Sequence, residues 1–313
     1  MPFLAFTRPA RLTLCSIVLG IAGLSAASTA IAITAPDLRS RIVIDGHTGD
    51  FASDESVFGN NGGATSYEPD SDSQWGANEE LHGIRITWDR RNLYLAVEGT
   101  CWANNVILLI DAVPNQGLSG MAGLNSWQRN ISFTADFAPD LFLATWDGNL
   151  SPRLLLQITG SSVDDQMPGV LFESSATFEQ NSAGRAMEAR IPWTTLFHYS
   201  SHGSAIVRDT MIAGQPDTLV YLPPFICLRL AAALTGGGDG SSGPDVAPDN
   251  TTGCPGGSSG ALLVMDNYAI VDVDSDHDGL PDMGASPIFR TTFKDTALPV
   301  QRSSWGALKV RFR

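Results

Sequence analysis

Basic side chains are scarce: 19 lysines and arginines stand against 33 aspartates and glutamates in 313 residues, a formal net charge of -14. A chain this acidic repels phosphate backbones and anionic lipid headgroups, which excludes nucleic acid and the bare membrane surface as partners. Cysteine is also rare, with four in the chain, one of them Cys15 near the N-terminus. The others, Cys101, Cys227 and Cys254, allow three single pairings or none. A Cys227–Cys254 bridge would tie down the glycine-rich stretch between them, a loop closure worth on the order of 3 kcal/mol.

Sustained helical periodicity is missing, apart from one turn of helix expected at "WTTLF" (Trp193 to Phe197) after Pro192. No internal repeat is visible. The serine-hydrolase and zinc-protease signatures G-x-S-x-G and H-E-x-x-H are absent, and His47, His82, His198, His202 and His277 are scattered without a paired metal spacing. These absences point away from catalysis. Carboxylates are abundant enough to imagine a glycosidase pair, but none stands out at a strand end.

Only one long apolar run occurs. Arg8 and Arg11 precede "LTLCSIVLGIAGLSA" (Leu12 to Ala26), and Ala30-Ile31-Ala32 fits an A-x-A cleavage site. The run is shorter than the roughly 20 residues of a bilayer span, so residues 1–32 read as a signal peptide, without lipidation at Cys15 because Leu14 precedes it. The expectation is a secreted, periplasmic or cell-surface protein with no membrane insertion of its own after cleavage.

What is present is strand after strand. "RIVIDG" (Arg41 to Gly46), "GIRITWD" (Gly83 to Asp89), "NLYLAVEG" (Asn92 to Gly99) and "NVILLIDA" (Asn105 to Ala112) are short, apolar or alternating, and bounded by turn residues. "DLFLATW" (Asp140 to Trp146), "RLLLQITG" (Arg153 to Gly160), "AMEARIPW" (Ala186 to Trp193) and "FICLRLAAAL" (Phe225 to Leu234) continue the pattern. "ITWDRRNLYLAV" is the clearest hairpin, with Asp89 to Asn92 as its connection. The pattern predicts an all-β fold, an antiparallel two-sheet β-sandwich of jelly-roll or immunoglobulin-like type with long loops. Those loops are Gly59 to Glu80, Pro114 to Ser126 and Thr235 to Gly260, rich in residues that tolerate positive φ. One further strand, Ala261 to Asp274, follows. The domain reading is a sandwich over 33–271, an acidic segment over 272–284 and a C-terminal tail over 285–313, whose "SSWGALKVRFR" reads as a closing strand.

The sequences "IVIDGHTGDF", "IRITWDRRNLYLAVEG", "VILLIDA" and "MEARIPWTTL" resemble, in order and spacing, the β-sandwich superfamily of family-9 carbohydrate-binding modules and DOMON-like domains. Ile44, Asp45, Gly46 and Asp50 fit its opening, although Phe51 replaces the expected Trp. Trp88, Asp89, Leu93 and Tyr94 fit its hairpin, Asp111 its strand end, and Glu188, Ile191, Pro192 and Trp193 its last motif. The resemblance covers Ile42 to Leu234. It implies a sandwich scaffold and leaves the ligand open, because sugar-binding, haem-binding and purely structural members share it.

The run "DVDSDHDGLPD" (Asp272 to Asp282) resembles the calcium loops of thrombospondin type 3 repeats and EF-hands. Asp274, Asp276 and Asp278 fall at loop positions 1, 3 and 5, Gly279 at the sharp turn, the Leu280 carbonyl at 7 and Asp282 at 9. Ala285 stands where an EF-hand has its closing Glu. Calcium as a structural cofactor is one reading; a solvated acidic linker is the other.

Seven tryptophans invite ring stacking on sugars. Trp88 and Trp193 belong to strand motifs and are assigned to the core, and Trp146 to neither class. Trp75, Trp102 and Trp127 lie in or beside polar loops and are the candidate platforms, with Asp111, Asn115 and Gln116 reading hydroxyls. The expected function is non-catalytic recognition of a polysaccharide or other glycan. The alternatives are a structural or adhesive surface protein without a small ligand, and a secreted glycoside hydrolase or its accessory.

Overall fold

The computed structural model of the chain describes residues 37–56, 72–102, 104–112, 117–134, 136–145, 153–159, 161–164, 170–174, 186–198, 206–212, 215–223, 226–250, 254, 257, 259–274, 276–282 and 288–291. All belong to the compact unit Ala32–Arg313. The expected signal peptide, Asn115, Gln116, Trp146 and the basic closing strand lie outside the described residues.

A 3-10 turn, Thr48–Asp50, precedes β1 (Glu79–Trp88), β2 (Asn92–Cys101) and β3 (Asn105–Asp111). Next come β4 (Ile131–Phe133), β5 (Leu141–Thr145), β6 (Arg153–Thr159), β7 (Ser162–Asp164) and β8 (Leu171–Ser174). β9 (Ala186–Pro192) runs straight into α1 (Trp193–His198), the one α-helix among the described residues. Proline brings no N–H to a ladder, so the strand ends where the expected helical turn begins. β10 (Ile206–Ile212), β11 (Gln215–Tyr221), β12 (Cys227–Thr235), β13 (Asp245–Ala247), β14 (Leu263–Met265), β15 (Ala269–Asp272) and β16 (Ile288–Thr291) complete the order.

Two antiparallel sheets form the expected sandwich. The smaller runs β1-β2-β9-β8, and the larger runs β16-β15-β12-β3-β5-β6-β7 with β13 also paired to β12. Ile84, Ile86, Leu95, Val97 and Ile191 of the smaller sheet meet Leu108, Ile110, Leu143 and Leu230 of the larger in one buried cluster. Alternate residues of each strand supply this layer, as a pleated backbone requires.

Both outer faces are covered as well. Ile107, Leu109, Phe142 and Ala233 point out of the back of the larger sheet and are buried under Met121, Leu124, Trp127, Phe137 and Met265. This is why β3 reads as an unbroken apolar run: a strand covered on both faces has no polar side to alternate with. A short parallel pair, β4 with β14, belongs to this outer layer. Arg129 is buried beneath it, where it donates to Thr235 Oγ1 at 3.2 Å, Asn105 Oδ1 at 3.0 Å and the Gln128 carbonyl at 2.7 Å. On the smaller sheet, Tyr94 and Ala96 face outward beneath Ile42 and Phe51.

The segment Arg41 to Gly46 is not the expected strand. Its backbone donors go elsewhere: Arg41 and Ile42 N–H to the Leu38 carbonyl, Val43 N–H to Asp50 Oδ2. The N–H groups of Asp45, Gly46 and His47 all point at one oxygen of Glu188, at 2.9, 2.7 and 3.2 Å. With those donors taken, no ladder can form. Glu188, on β9 and fully buried, thereby fixes the N-terminal segment across the smaller sheet.

Burial pushes the Glu188 carboxyl up to about 7, against the Asp45 and Gly46 N–H groups that favour its ionised form. The folded chain therefore holds a proton that the unfolded chain releases near pH 4.5. The corresponding stability is complete below pH 4.5 and is lost as pH rises through about 7, a change of about 3 kcal/mol. Urea denaturation from pH 4 to 8 is expected to show this slope, and Glu188→Gln to remove the share of it that Glu188 contributes.

Ala261 to Asp274, expected as one strand, is two. At Asp266 to Tyr268 side chains take over the backbone donors: Asp266 N–H goes to Asn250 Oδ1 at 3.0 Å and Tyr268 N–H to Asn267 Oδ1 at 3.0 Å. β14 before this break pairs with β4, and β15 after it pairs with β12. β16 pairs with β15, so the acidic segment lies between two neighbouring strands of the larger sheet. No disulfide joins Cys101, Cys227 or Cys254.

Candidate functional site

The acidic loop starts where β15 ends. Asp274 is buried, and its carboxylate caps the turn that follows: Oδ1 accepts Asp278 N–H at 3.1 Å and Oδ2 accepts Gly279 N–H at 3.0 Å. Asp276 Oδ1 accepts the same Asp278 N–H at 3.1 Å. Gly279 turns with φ of 88°, a conformation glycine adopts at no steric cost. Its carbonyl accepts Leu222 N–H at 2.7 Å, which fastens the loop to the chain after β11, and Asp282 N–H returns to the Val273 carbonyl at 2.9 Å.

This folding brings three carboxylates to one point. Asp274, Asp276 and Asp282 each offer an oxygen within 4.8 Å of the others. That span is about twice a calcium–oxygen bond of roughly 2.4 Å. Asp278, expected in the same set, instead accepts Leu280 N–H at 2.7 Å and stands outside the convergent trio. Leu280 has a buried side chain. Burial first, and then the charges of Asp278, Asp276 and Asp282, push Asp274 up to about 6, against the Gly279 N–H. A cation placed among these oxygens would remove that repulsion.

The aromatic candidates separate into different environments. Trp102, at the end of β2, is 66 % exposed. Its N–H donates to Glu79 Oε1 at 3.2 Å, and the Asn104 amide donates to its carbonyl at 3.4 Å. Glu79 is buried, which pushes its carboxyl up to about 7. Trp75 is half-buried; its ring packs on the core and its indole N–H donates to the Gly257 carbonyl at 2.8 Å. Since Glu79 pairs with Cys101, Trp75 and Trp102 flank the same end of the β1–β2 ladder.

Two candidates need correction. Trp127 is only 5 % exposed: it packs edge-on against Phe142 and lies 5.2 Å from the Arg129 guanidinium, in the layer behind the larger sheet. A ring so enclosed has no face to offer a sugar. Asp111 is fully buried, ion-paired to Arg229 at 3.1 Å and accepting Ala138 N–H at 3.2 Å, so it braces β3 against β12 instead of reading hydroxyls. Of the rest, Trp88 and Trp193 are core residues as expected. Comparison with protein-family models and with curated proteins found no match.

Proposed function

We propose that this chain is an exported, non-catalytic binding protein that recognises a carbohydrate through loop aromatics, with a calcium ion holding its acidic loop. The observation that carries the recognition reading is Trp102, a large apolar ring left 66 % exposed at the end of a rigid strand and backed by the buried Glu79. An indole face in that position suits the C–H face of a pyranose, and neighbouring polar groups suit its hydroxyls. Trp75, half-buried just before β1, is the second aromatic at that end of the ladder.

Calcium supplies positive charge to Asp274, Asp276 and Asp282, whose oxygens share one centre. The ion's work would be structural, fixing the β15 to β16 connection against the chain after β11. Excess Ca2+ is expected to stabilise the fold, by about 2.7 kcal/mol at 100 times Kd, and Asp274→Asn together with Asp282→Asn to reduce that gain at this site to nothing. Thermal denaturation with Ca2+ and with chelator measures it.

Recognition itself is tested on a glycan array and by polysaccharide pull-down. Trp102→Ala is expected to weaken binding about tenfold, the worth of one stacking contact, while leaving the melting temperature unchanged because the ring is exposed. A blank array overturns the carbohydrate reading. That outcome favours a structural or adhesive role, for which the internal use of Trp127 and Asp111 already speaks.

A further inference from the structure

We propose a second divalent-cation site, separate from the acidic loop, formed by Asp72, Asp245 and Asp249 at the Trp75 end of the sandwich. Asp72 leads into β1, Asp245 opens β13 and Asp249 follows it. One oxygen from each, and the Cys254 sulfur, lie within 4.8 Å of one another. Asp245 and Asp249 lie close together in the sequence and Asp72 far from both, so the fold brings Asp72 to the pair.

The convergence is accompanied by buried oxygens that lack proton donors. Asp245 is fully buried, and its Oδ2 accepts Leu81 N–H at 2.6 Å. Its Oδ1 faces only the Cys254 thiol at 3.7 Å, and that sulfur stands 2.9 Å from the Pro244 carbonyl. A thiol has one proton, which at these distances goes to the carbonyl, so Oδ1 has no donor aimed at it. Asp72 Oδ1 and Asp249 Oδ1 are also shut off from water with no donor from any other residue, and the two carboxyl groups are hydrogen-bonded only to each other. Buried carboxyl oxygens crowded together in this way are costly, and a bound cation would satisfy them.

Glu80 adds to the negative charge. It is buried, with its oxygens turned to Asp72 N–H at 3.2 Å and Ser73 N–H at 3.1 Å. The charges that act on Asp245 are those of Glu80, Asp72 and Asp249, all of one sign. Three carboxylates are hard oxygen donors and select a hard ion of the calcium or manganese class. Cys254, engaged with Pro244, is a neighbour of the site and not a ligand. The bound ion would join the segment before β1 to the glycine-rich stretch after β12, whose Gly257 carbonyl also holds the Trp75 indole.

The test is calcium binding to the full chain by isothermal titration, with Asp276→Asn/Asp282→Asn disabling the acidic loop. That double variant is expected to keep one site, so the result does not depend on the loop binding calcium. Adding Asp249→Asn should weaken this remaining site by at least the roughly 10–100-fold that even outer-shell changes cost, while Cys254→Ser leaves it intact. In chelator, Asp249→Asn should raise the melting temperature, because it removes a repelling charge; in Ca2+ it should lower it. No calcium bound to the loop double variant, or an Asp249→Asn affinity equal to its parent's, overturns the proposal. Loss of binding in Cys254→Ser overturns the assignment of a hard ion.

Discussion

Replacing Asp89 with alanine is expected to lower the unfolding free energy by about 4 kcal/mol, from loss of acceptors for several donors that are hard to satisfy otherwise. The carboxylate is fully buried in the connection between β1 and β2. It accepts Leu38 N–H at 3.0 Å, Arg91 and Asn92 N–H at 2.7 Å each, and the Tyr94 hydroxyl at 2.7 Å. Burial and this hydrogen bond raise the Tyr94 phenol above its ordinary range, so it stays a donor at every working pH. Alanine strands the buried Asn92 N–H and Tyr94 O–H, each costing about 1–3 kcal/mol. It also releases Leu38, the anchor of the segment that covers the outer face of the smaller sheet. Urea denaturation checks the value; Asp89→Asn keeps one acceptor and should lose about half as much. A loss below 1 kcal/mol for alanine would mean that water replaces these bonds freely.

The second large effect is steric. Alanine at Gly243 would set its Cβ 1.5 Å from the Leu234 carbonyl oxygen and 2.9 Å from Thr235 Cα. Neither is a side chain that can swing away. Leu234 pairs with Asp245, so relief requires β13 to separate from β12. We expect Gly243→Ala to cost more than about 3 kcal/mol, at the far end of what single substitutions do. Gly123, around which a Cβ meets nothing within 4 Å, is the control, with an expected change within about 0.5 kcal/mol. Thermal melts of the two variants side by side decide it.

How much of this was legible depends on whether the signal was local. The β1–β2 hairpin was, because its turn residues and apolar strands are consecutive, and the chain pairs Trp88 with Leu93 across it as the reading required. The acidic loop was legible for the same reason: its carboxylates recur at alternate positions within one short run. The β10–β11 hairpin was missed, since Arg208, Asp209, Pro216 and Asp217 interrupt the apolar pattern on strands that pair from Ile206 to Tyr221. Trp127 was misplaced because its neighbours Ser126 and Gln128 are polar, and nothing nearby in sequence tells that this loop folds back over a sheet. Glu188 signalled a strand motif but not the three amides it gathers from residues more than 140 positions away. Asp72 and Asp245 are as remote from each other, and only closure of the sandwich makes them neighbours.

β12 stands between β3 and β15 in the larger sheet but follows β3 in the chain by more than a hundred residues, Asp111 against Cys227. A ribosome that has translated only as far as Tyr221 has therefore made β3 without the partner that covers one of its edges. Seven residues of nascent strand, Asn105 to Asp111, then carry open amide and carbonyl groups beside apolar side chains bound for both faces. Such an edge is a template for another chain. Chains terminated before β12 are accordingly expected to aggregate through that edge.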